Sequence, residues 1–547
     1  MLLTEKESLT IEFKSDKKKL SDNDLIDSIV GLANTSGGKL YLGVEDSGEV
    51  SGVHKDHSNI STLSAFIANR TVPPLSTRCE MEVFNGLSVV IINVNQSRSI
   101  VATSTGKILR RRLKTDGTPE CVPMYPYEIT SRLSDLSLLD FSGQPVPDAT
   151  KDDLDPIERV RLRNIIKINY GEASLLELTD DELDSALQLT KEVEGKHIPT
   201  ITGILLIGKR ESIKRFVPTM ETSIQVLSGT EVIVNESYHR SILSTVEKIE
   251  NYFNAWNPST EMDFGLIRMN IPEFNRRAFR EALVNAFCHR DYSMLGRVRV
   301  LINDEGLTIT NPGGFIEGVT IDNLLYAEPH GRNPVLADAL KRIGLAERTG
   351  RGIDRIFSGS LFYGRPLPDY SASTSKNVNL FIARSAPDKN FVRMLTDEQS
   401  KTGKDIPVDA LLILNSLKEL RRASIKQVAN QTKLSEIKVQ ATLGRLVESG
   451  LVEAIGSGKS RNFLLSSKLY RDSDNSVGYV RQTDIDKLRS LELILALCKQ
   501  QGEITKSNVV ELLHVNERQA YTLLKKLVDE GKLVVLQKGH YAKYGMP

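Results

Sequence analysis

Apolar residues recur along the chain with two periods, and the switches between them divide it into elements. Thr10-Ile11-Glu12-Phe13-Lys14 alternates, which predicts a strand with Ile11 and Phe13 on one face and Glu12 and Lys14 on the other. Leu25, Ile26, Ile29, Val30 and Ala33 then follow helical spacing behind Ser21, with Asp24 as its capping partner and Gly37-Gly38 as the stop. Leu40, Leu42 and Val44 alternate again, ending in the turn Glu45-Asp46-Ser47-Gly48. Asn85-Gly86 marks a two-residue hairpin, and Leu109 to Lys114 reads as a basic strand edge carrying Arg110, Arg111 and Arg112. Residues 1–140 thus predict a compact α/β module.

A polar, proline-punctuated stretch from Gln144 to Pro156 reads as a linker. Residues 141–270 are expected to connect modules, with helices over Ile157 to Tyr170 and Asp180 to Lys191 and a buried strand over Thr202 to Gly208. Trp256 is expected in a core.

The most informative run is Arg280 to His289. Glu281, Asn285 and His289 fall four apart and share one helix face, while Phe279, Leu283 and Phe287 mark another. Two strands follow around the turn Asp304-Glu305-Gly306, then Asn311-Pro312-Gly313-Gly314, Gly331-Arg332-Asn333-Pro334, a helix from Val335, and Gly350-Arg351-Gly352 leading into another helix. An inward amide, a glycine turn after a strand and a glycine loop at a helix start are parts that a nucleotide site needs. This region is bounded as 271–385. Ser371 to Asp405 predicts a strand and then linker. Beyond it, residues 406–470 and 485–547 repeat one plan: three helices closed by a β hairpin.

Composition bounds the function. The chain has 547 residues, enough for roughly three to five domains, and a formal net charge of +1, so nucleic-acid binding must come from local basic patches. Four scattered cysteines without a CxxC pair argue against a disulfide framework or structural zinc. With no signal-like N-terminus and no apolar run of spanning length, a cytoplasmic chain without a membrane partner is expected. Gly456-Ser457-Gly458-Lys459-Ser460 mimics the end of a phosphate loop, but Glu453 stands where the first glycine is required.

Three resemblances add to this. Glu7, Glu12-Phe13-Lys14, Ala33 to Gly38 and Gly43 to Asp46 resemble the Schlafen-type AlbA_2 domain, also called divergent AAA-4. In nuclease members two glutamates five apart and a later acidic residue bind a divalent metal. The resemblance therefore implies Glu7, Glu12 and Glu45 or Asp46 as metal ligands and catalytic groups, with Lys14 beside them and Mg2+ or Mn2+ as the ion. Many members bind DNA without cleaving it, and Glu12 and Lys14 also read as a plain same-face ion pair. Glu281-x-x-x-Asn285, Asn311-x-Gly313 with Gly314, and Gly350-x-Gly352 resemble the N box and glycine boxes of the GHKL ATPase fold, in the HATPase_c_4 variant of RecG-like transcriptional regulators. This implies ATP as ligand, Asn285 on Mg2+, Glu281 on the attacking water, and Gly350 and Gly352 as phosphate cradle. His289 and Arg332 follow as phosphate or neighbouring contacts. Asn311 stands where typical members have an aspartate that accepts from adenine.

The C-terminal pair resembles tandem winged helix-turn-helix domains. Their third helices and wings place Lys433, Lys438, Gln440, Arg445, Lys459 and Arg461 in one unit, and Arg518, Gln519, Lys525, Lys526, Lys538 and Lys543 in the other, as nucleic-acid contacts. The fold class expected is multidomain α/β: an AlbA_2-like module, a GHKL-type sandwich and two mainly helical winged-helix domains. The function expected is that of an ATP-responsive DNA-binding regulator, homo-oligomeric, with DNA favoured over RNA. The alternatives are a nucleotide-gated, metal-dependent nuclease acting on DNA or RNA in defence against foreign nucleic acid, and a scaffold whose winged helices bind protein.

Overall fold

The computed structural model describes residues 5–136, 138–264, 267–316, 318–328, 331–347, 350–455, 461–466 and 491–547, apart from 493, 496, 500, 514 and 538–541. It is a mixed α/β chain of two compact units. One comprises Met1–Pro258, Arg276–Ile356 and Pro368–Arg384; the other comprises Ser259–Asn275, Phe357–Leu367 and Ser385–Pro547. No helix among the described residues is long and apolar enough to cross a membrane.

The first unit opens on a four-stranded sheet in the order Ile11–Lys14, Gly38–Leu42, Leu87–Val94, Arg78–Phe84. Its first pair is parallel, joined through the helix Asp22–Ala33, and the other pairs are antiparallel. Ser21 caps that helix by accepting from the Asp24 amide at 3.1 Å. Gly38 is required where the chain leaves it. Its φ is 137°, and a Cβ there would lie 2.0 Å from the Thr10 carbonyl oxygen. Asn85 and Gly86, with φ of 50° and 81°, make the hairpin turn that its dipeptide predicts. Both sheet faces are covered. Leu25, Ile29, Leu40 and Val90 pack on the helix side, and Phe13, Tyr41 and Val89 on the other. Glu12, on the supposedly solvated face of its strand, is consequently buried.

The segment expected to connect modules supplies two strands, Glu231–Tyr238 and Thr222–Ser228, to a five-stranded sheet completed by Val298–Ile302, Gly306–Pro312 and Asn377–Ala383. Thr222–Ser228 pairs parallel with Val298–Ile302, and the remaining pairs are antiparallel. The buried strand expected over Thr202 to Gly208 is instead the helix Ile201–Ile207, capped by the Thr200 hydroxyl and buried at all seven positions. A short uninterrupted apolar run has no period, so it cannot distinguish the two. Trp256, expected in a core, is 37% exposed at the C-terminal cap of the helix Ile242–Ala255.

In the second unit the helices Val408–Leu420, Ile425–Thr432 and Glu436–Glu448 are followed by the antiparallel pair Val452–Ile455 and Asn462–Leu465. Lys506–Leu513 and Glu517–Asp529 precede a second pair, Val534–Gln537 and Lys543–Gly545, joined by Glu503–Thr505. The expected linker before them contains the helix Lys389–Thr402. Asp388 caps it, Gly403 at φ 64° ends it, and Phe391, Val392 and Leu395 are its buried stripe. That stripe is short, and polar neighbours hid it.

Candidate functional site

The helix Arg276–Cys288 is held by one face. Phe279, Leu283 and Phe287 are fully buried, and Phe279 stacks on Phe253 with ring centroids 3.7 Å apart. The opposite face presents Glu281, Asn285 and, one residue past the helix, His289 to a cavity of about 220 Å³. Asn311, Gly314, Gly350 and Gly352 line the same cavity, so residues separated by up to 71 positions in sequence meet there. Glu281 is 5% exposed. Burial raises its pKa and the neighbouring Glu347 adds to that, while Arg355 and a hydrogen bond from Asn285 oppose it. Gly352 stands against the same carboxylate: a Cβ there would lie 2.0 Å from Glu281 Oε1. Replacing Gly352 with alanine should therefore displace Glu281, weakening nucleotide binding while leaving the N-terminal module intact; hydrogen exchange on both regions checks this.

Burial pushes the His289 imidazole down to about 4, and the charges of Arg332 and Lys341 act in the same direction. The folded chain thus holds His289 neutral while the unfolded chain protonates near the ordinary value of 6.5. Between those values the unfolded state binds more protons, so stability falls as pH drops from about 6.5 to about 4, by up to about 3 kcal/mol. Urea unfolding across that window should show the slope, and His289→Gln should flatten it.

The remaining expected cavity residues divide. Asn311 is buried; its Nδ2 donates to the Pro312 carbonyl at 3.2 Å, which leaves its side-chain oxygen as an acceptor. Gly313 does not line the cavity. Its φ is 91° and a Cβ there would lie 2.1 Å from Arg332 Nη1, so its missing side chain is the space that admits the Arg332 guanidinium. Arg332 is likewise not a phosphate contact here. It is 3% exposed and donates from Nε to Asp135 Oδ1 at 2.8 Å, from Nη1 to His289 O at 2.9 Å and from Nη2 to Gly314 O at 3.3 Å. Its charge is committed to cross-linking the helix Pro126–Asp135 to the cavity wall. Glu347, Lys341 and the buried Tyr370 also line the cavity. No spacing in the sequence singled them out, because each is an isolated polar residue between elements or on a helix end.

In the N-terminal module the expected carboxylate cluster is not assembled for metal. Glu12 is paired through Oε2 with Arg111, and its Oε1 lies 2.7 Å from Lys14 Nζ. Glu7 accepts from the Phe13 amide at 3.0 Å and is raised by burial, with Glu12 and Asp46 adding to the shift. Glu45 accepts from the Ser15 hydroxyl at 2.8 Å and faces Lys17. Among the described residues no group of three or more His, Cys, Asp or Glu side chains could hold a metal ion. With both oxygens of Glu12 on cations, Glu7, Glu12 and Glu45 do not fit Mg2+ or Mn2+. The basic edge is neutralised in the same way. Arg111 is 3% exposed, Arg110 pairs with Glu128, and Arg112 donates to Glu120 at 2.6 Å.

In the second unit Gln440, Arg445, Arg518 and Lys525 are exposed. Lys438 pairs with Asp409 at 2.8 Å, and Arg461 lies 5.4 Å over the Phe463 ring. Gln519 is a capping residue: its side-chain oxygen accepts from the Asn516 amide at 3.2 Å. Lys459, Lys538 and the loop 456–460 lie outside the described residues.

Residues 7–118 match the family model described as Schlafen, AlbA_2, and residues 296–382 match HATPase_c_4, the model for the C-terminal part of RecG-type ATP-dependent DNA helicases. The chain carries both domains. Residues 131–223 match a domain of unknown function, DUF8451. No curated protein matches the chain. A Corynebacterium diphtheriae protein, solved as a crystal structure by a structural genomics consortium, aligns over 98% of this chain and 95% of its own at 20% identity and a TM-score of 0.49. The mRNA-binding domain of elongation factor SelB from E. coli, solved with SECIS RNA, aligns over 25% of this chain and 96% of its own at 15% identity and a TM-score of 0.15.

Proposed function

We propose that the protein is an ATP-binding, DNA-binding regulator in which nucleotide in the cavity beside the helix Arg276–Cys288 controls nucleic-acid engagement. The observation that carries this reading is the convergence of Glu281, Asn285, Asn311, Gly350 and Gly352 on one partly apolar cavity. With its Nδ2 engaged by the Pro312 carbonyl, Asn311 has a side-chain oxygen left that would accept from an exocyclic amino group such as the 6-amino group of adenine. Asn285 and Glu281 supply oxygen donors of the kind Mg2+ takes, and Mg2+ would neutralise phosphate charge there. Glu281, held by Asn285 and packed against Gly352, would orient a water for ATP turnover. The exposed Arg445, Arg518 and Lys525 would meet DNA phosphates if the two C-terminal units act as winged helices.

The nuclease reading is disfavoured by the ion pairs that occupy Glu12, and the protein-binding scaffold has no observation in its favour. Calorimetric titration of the full chain with ATP and with GTP, each with and without Mg2+, tests the proposal. Saturable, magnesium-dependent binding that prefers ATP is expected; no binding of either nucleotide would remove it.

A further inference from the structure

A second large cavity lies on the other side of Glu281. Its volume is about 680 Å³, and its walls carry Arg276, Arg277, Arg280, Arg355 and Tyr170, with Glu281 the one carboxylate among the described residues that line it. Two of the guanidinium groups are held in position. Arg280 donates from Nε to Glu250 at 2.7 Å and from Nη1 to Asn169 at 2.8 Å, and Arg355 pairs with Glu347. Arg276 and Arg277 are exposed.

The helix that carries these arginines does not favour such a clustering of charge. Arg276 and Arg277 occupy the first turn of a helix that has no acidic residue there, where the helix dipole disfavours cations by about 0.3–1 kcal/mol each. Arg276 and Arg280 add a like-charge pair at helical spacing. Tyr170 is 90% exposed and has a φ of 53°, a backbone region that a bulky aromatic residue rarely adopts. Its neighbours fix it there. A Cβ at Gly344 would lie 2.8 Å from the Asn169 carbonyl oxygen, and one at Gly171 would lie 2.9 Å from the Ile343 carbonyl carbon. The backbone on either side of Tyr170 is thus tightly packed while the ring itself is left to solvent.

We infer that this cleft binds single-stranded nucleic acid, with the exposed Arg276 and Arg277 on its phosphates and the Tyr170 ring as a stacking platform for a base. Guanidinium forks match phosphate oxygens, and the volume suits a segment of nucleotide size. A duplex hides the faces of its bases, so an exposed ring can stack only on an unpaired one. This site is separate from the C-terminal units to which the proposed function assigns DNA. Because Glu281 lines both cavities, a strand in the cleft would lie against the back of the nucleotide wall.

The test uses the full chain and short fluorescein-labelled single strands of DNA and RNA, read by anisotropy over a range of salt. Tyr170→Ala should weaken binding roughly tenfold. The double variant R276E/R277E should lower the salt slope by about 1.4, the value for two lost phosphate contacts on a single strand. A thio-substituted base in the strand should photocrosslink to the peptide carrying Tyr170. If the double variant melts early, Tyr170→Ala and the crosslink map still decide, since the Tyr170 side chain is solvent-exposed. Wild-type affinity and slope in both variants, or crosslinks confined to other regions, would overturn the inference. So would displacement of the strand by polyglutamate at equal charge concentration, which would identify an acidic protein as the occupant. Loss of strand binding with calorimetric ATP binding intact would separate this site from the nucleotide cavity.

Discussion

Arg111→Ala should destabilise the N-terminal module by about 3–5 kcal/mol, the cost of breaking a buried ion pair from one side. Arg111 is 3% exposed, and besides Glu12 it serves the Ser8 carbonyl at 2.6 Å and the Ile11 carbonyl at 3.1 Å, so its loss strips three acceptors at once. Glu12→Ala should cost a similar amount from the other side, leaving Arg111 buried and Lys14 unpaired. The double substitution Glu12→Leu/Arg111→Met should recover much of the loss, because an apolar pair of similar volume carries no desolvation cost. Hydrogen exchange of the strand Ile11–Lys14 in the full chain reads the opening free energy directly, without assuming that a multidomain protein unfolds in one step. A nuclease assay on Glu12→Ala therefore needs this measurement beside it, since a loss of activity could follow from a loosened module.

Asn285→Ala should reduce ATP affinity roughly ten- to hundredfold in the presence of Mg2+ and leave magnesium-free binding little changed. A hydrogen bond or ligand interaction with a charged group is worth about 1.5–3 kcal/mol, which sets that range. The effect should exceed simple loss of contact, because the Asn285 amide also restrains Glu281 in the cavity wall. Asn285→Asp, which keeps an oxygen donor at the same position, should retain magnesium dependence. Calorimetric titration of the three proteins separates a ligand role for Asn285 from a merely structural one, which would lower affinity equally with and without the ion.

Much of this architecture was legible because local signals agreed with one another. Ser21 with Asp24, Asn85-Gly86, and the faces of the Arg276–Cys288 helix each specify backbone geometry within a few residues, and the structure forms all three. The glycine boxes were legible as positions but less so as roles. Gly352 is needed by Glu281 and Gly313 by Arg332, and both requirements depend on side chains arriving from elsewhere in the chain. The misreadings share that cause. Arg111 and Glu12 are 99 positions apart, so alternation put Glu12 on a solvated face when the fold turns it onto Arg111. Arg332 sits in a glycine-rich loop of the kind that meets phosphate, yet Asp135, 197 positions away, claims it. The helix Ile201–Ile207 was hidden for a different reason: its uniform burial erases the period that would have marked it.

The measurement that bears most directly on the central claim is the affinity of the full chain for labelled duplex DNA with and without ATP and Mg2+, in the natural protein and in Asn285→Ala. The account predicts that nucleotide changes the dissociation constant of the natural protein, and that Asn285→Ala binds DNA with one affinity whether or not nucleotide is present. Identical DNA affinities in the natural protein with and without saturating ATP and Mg2+ would contradict it.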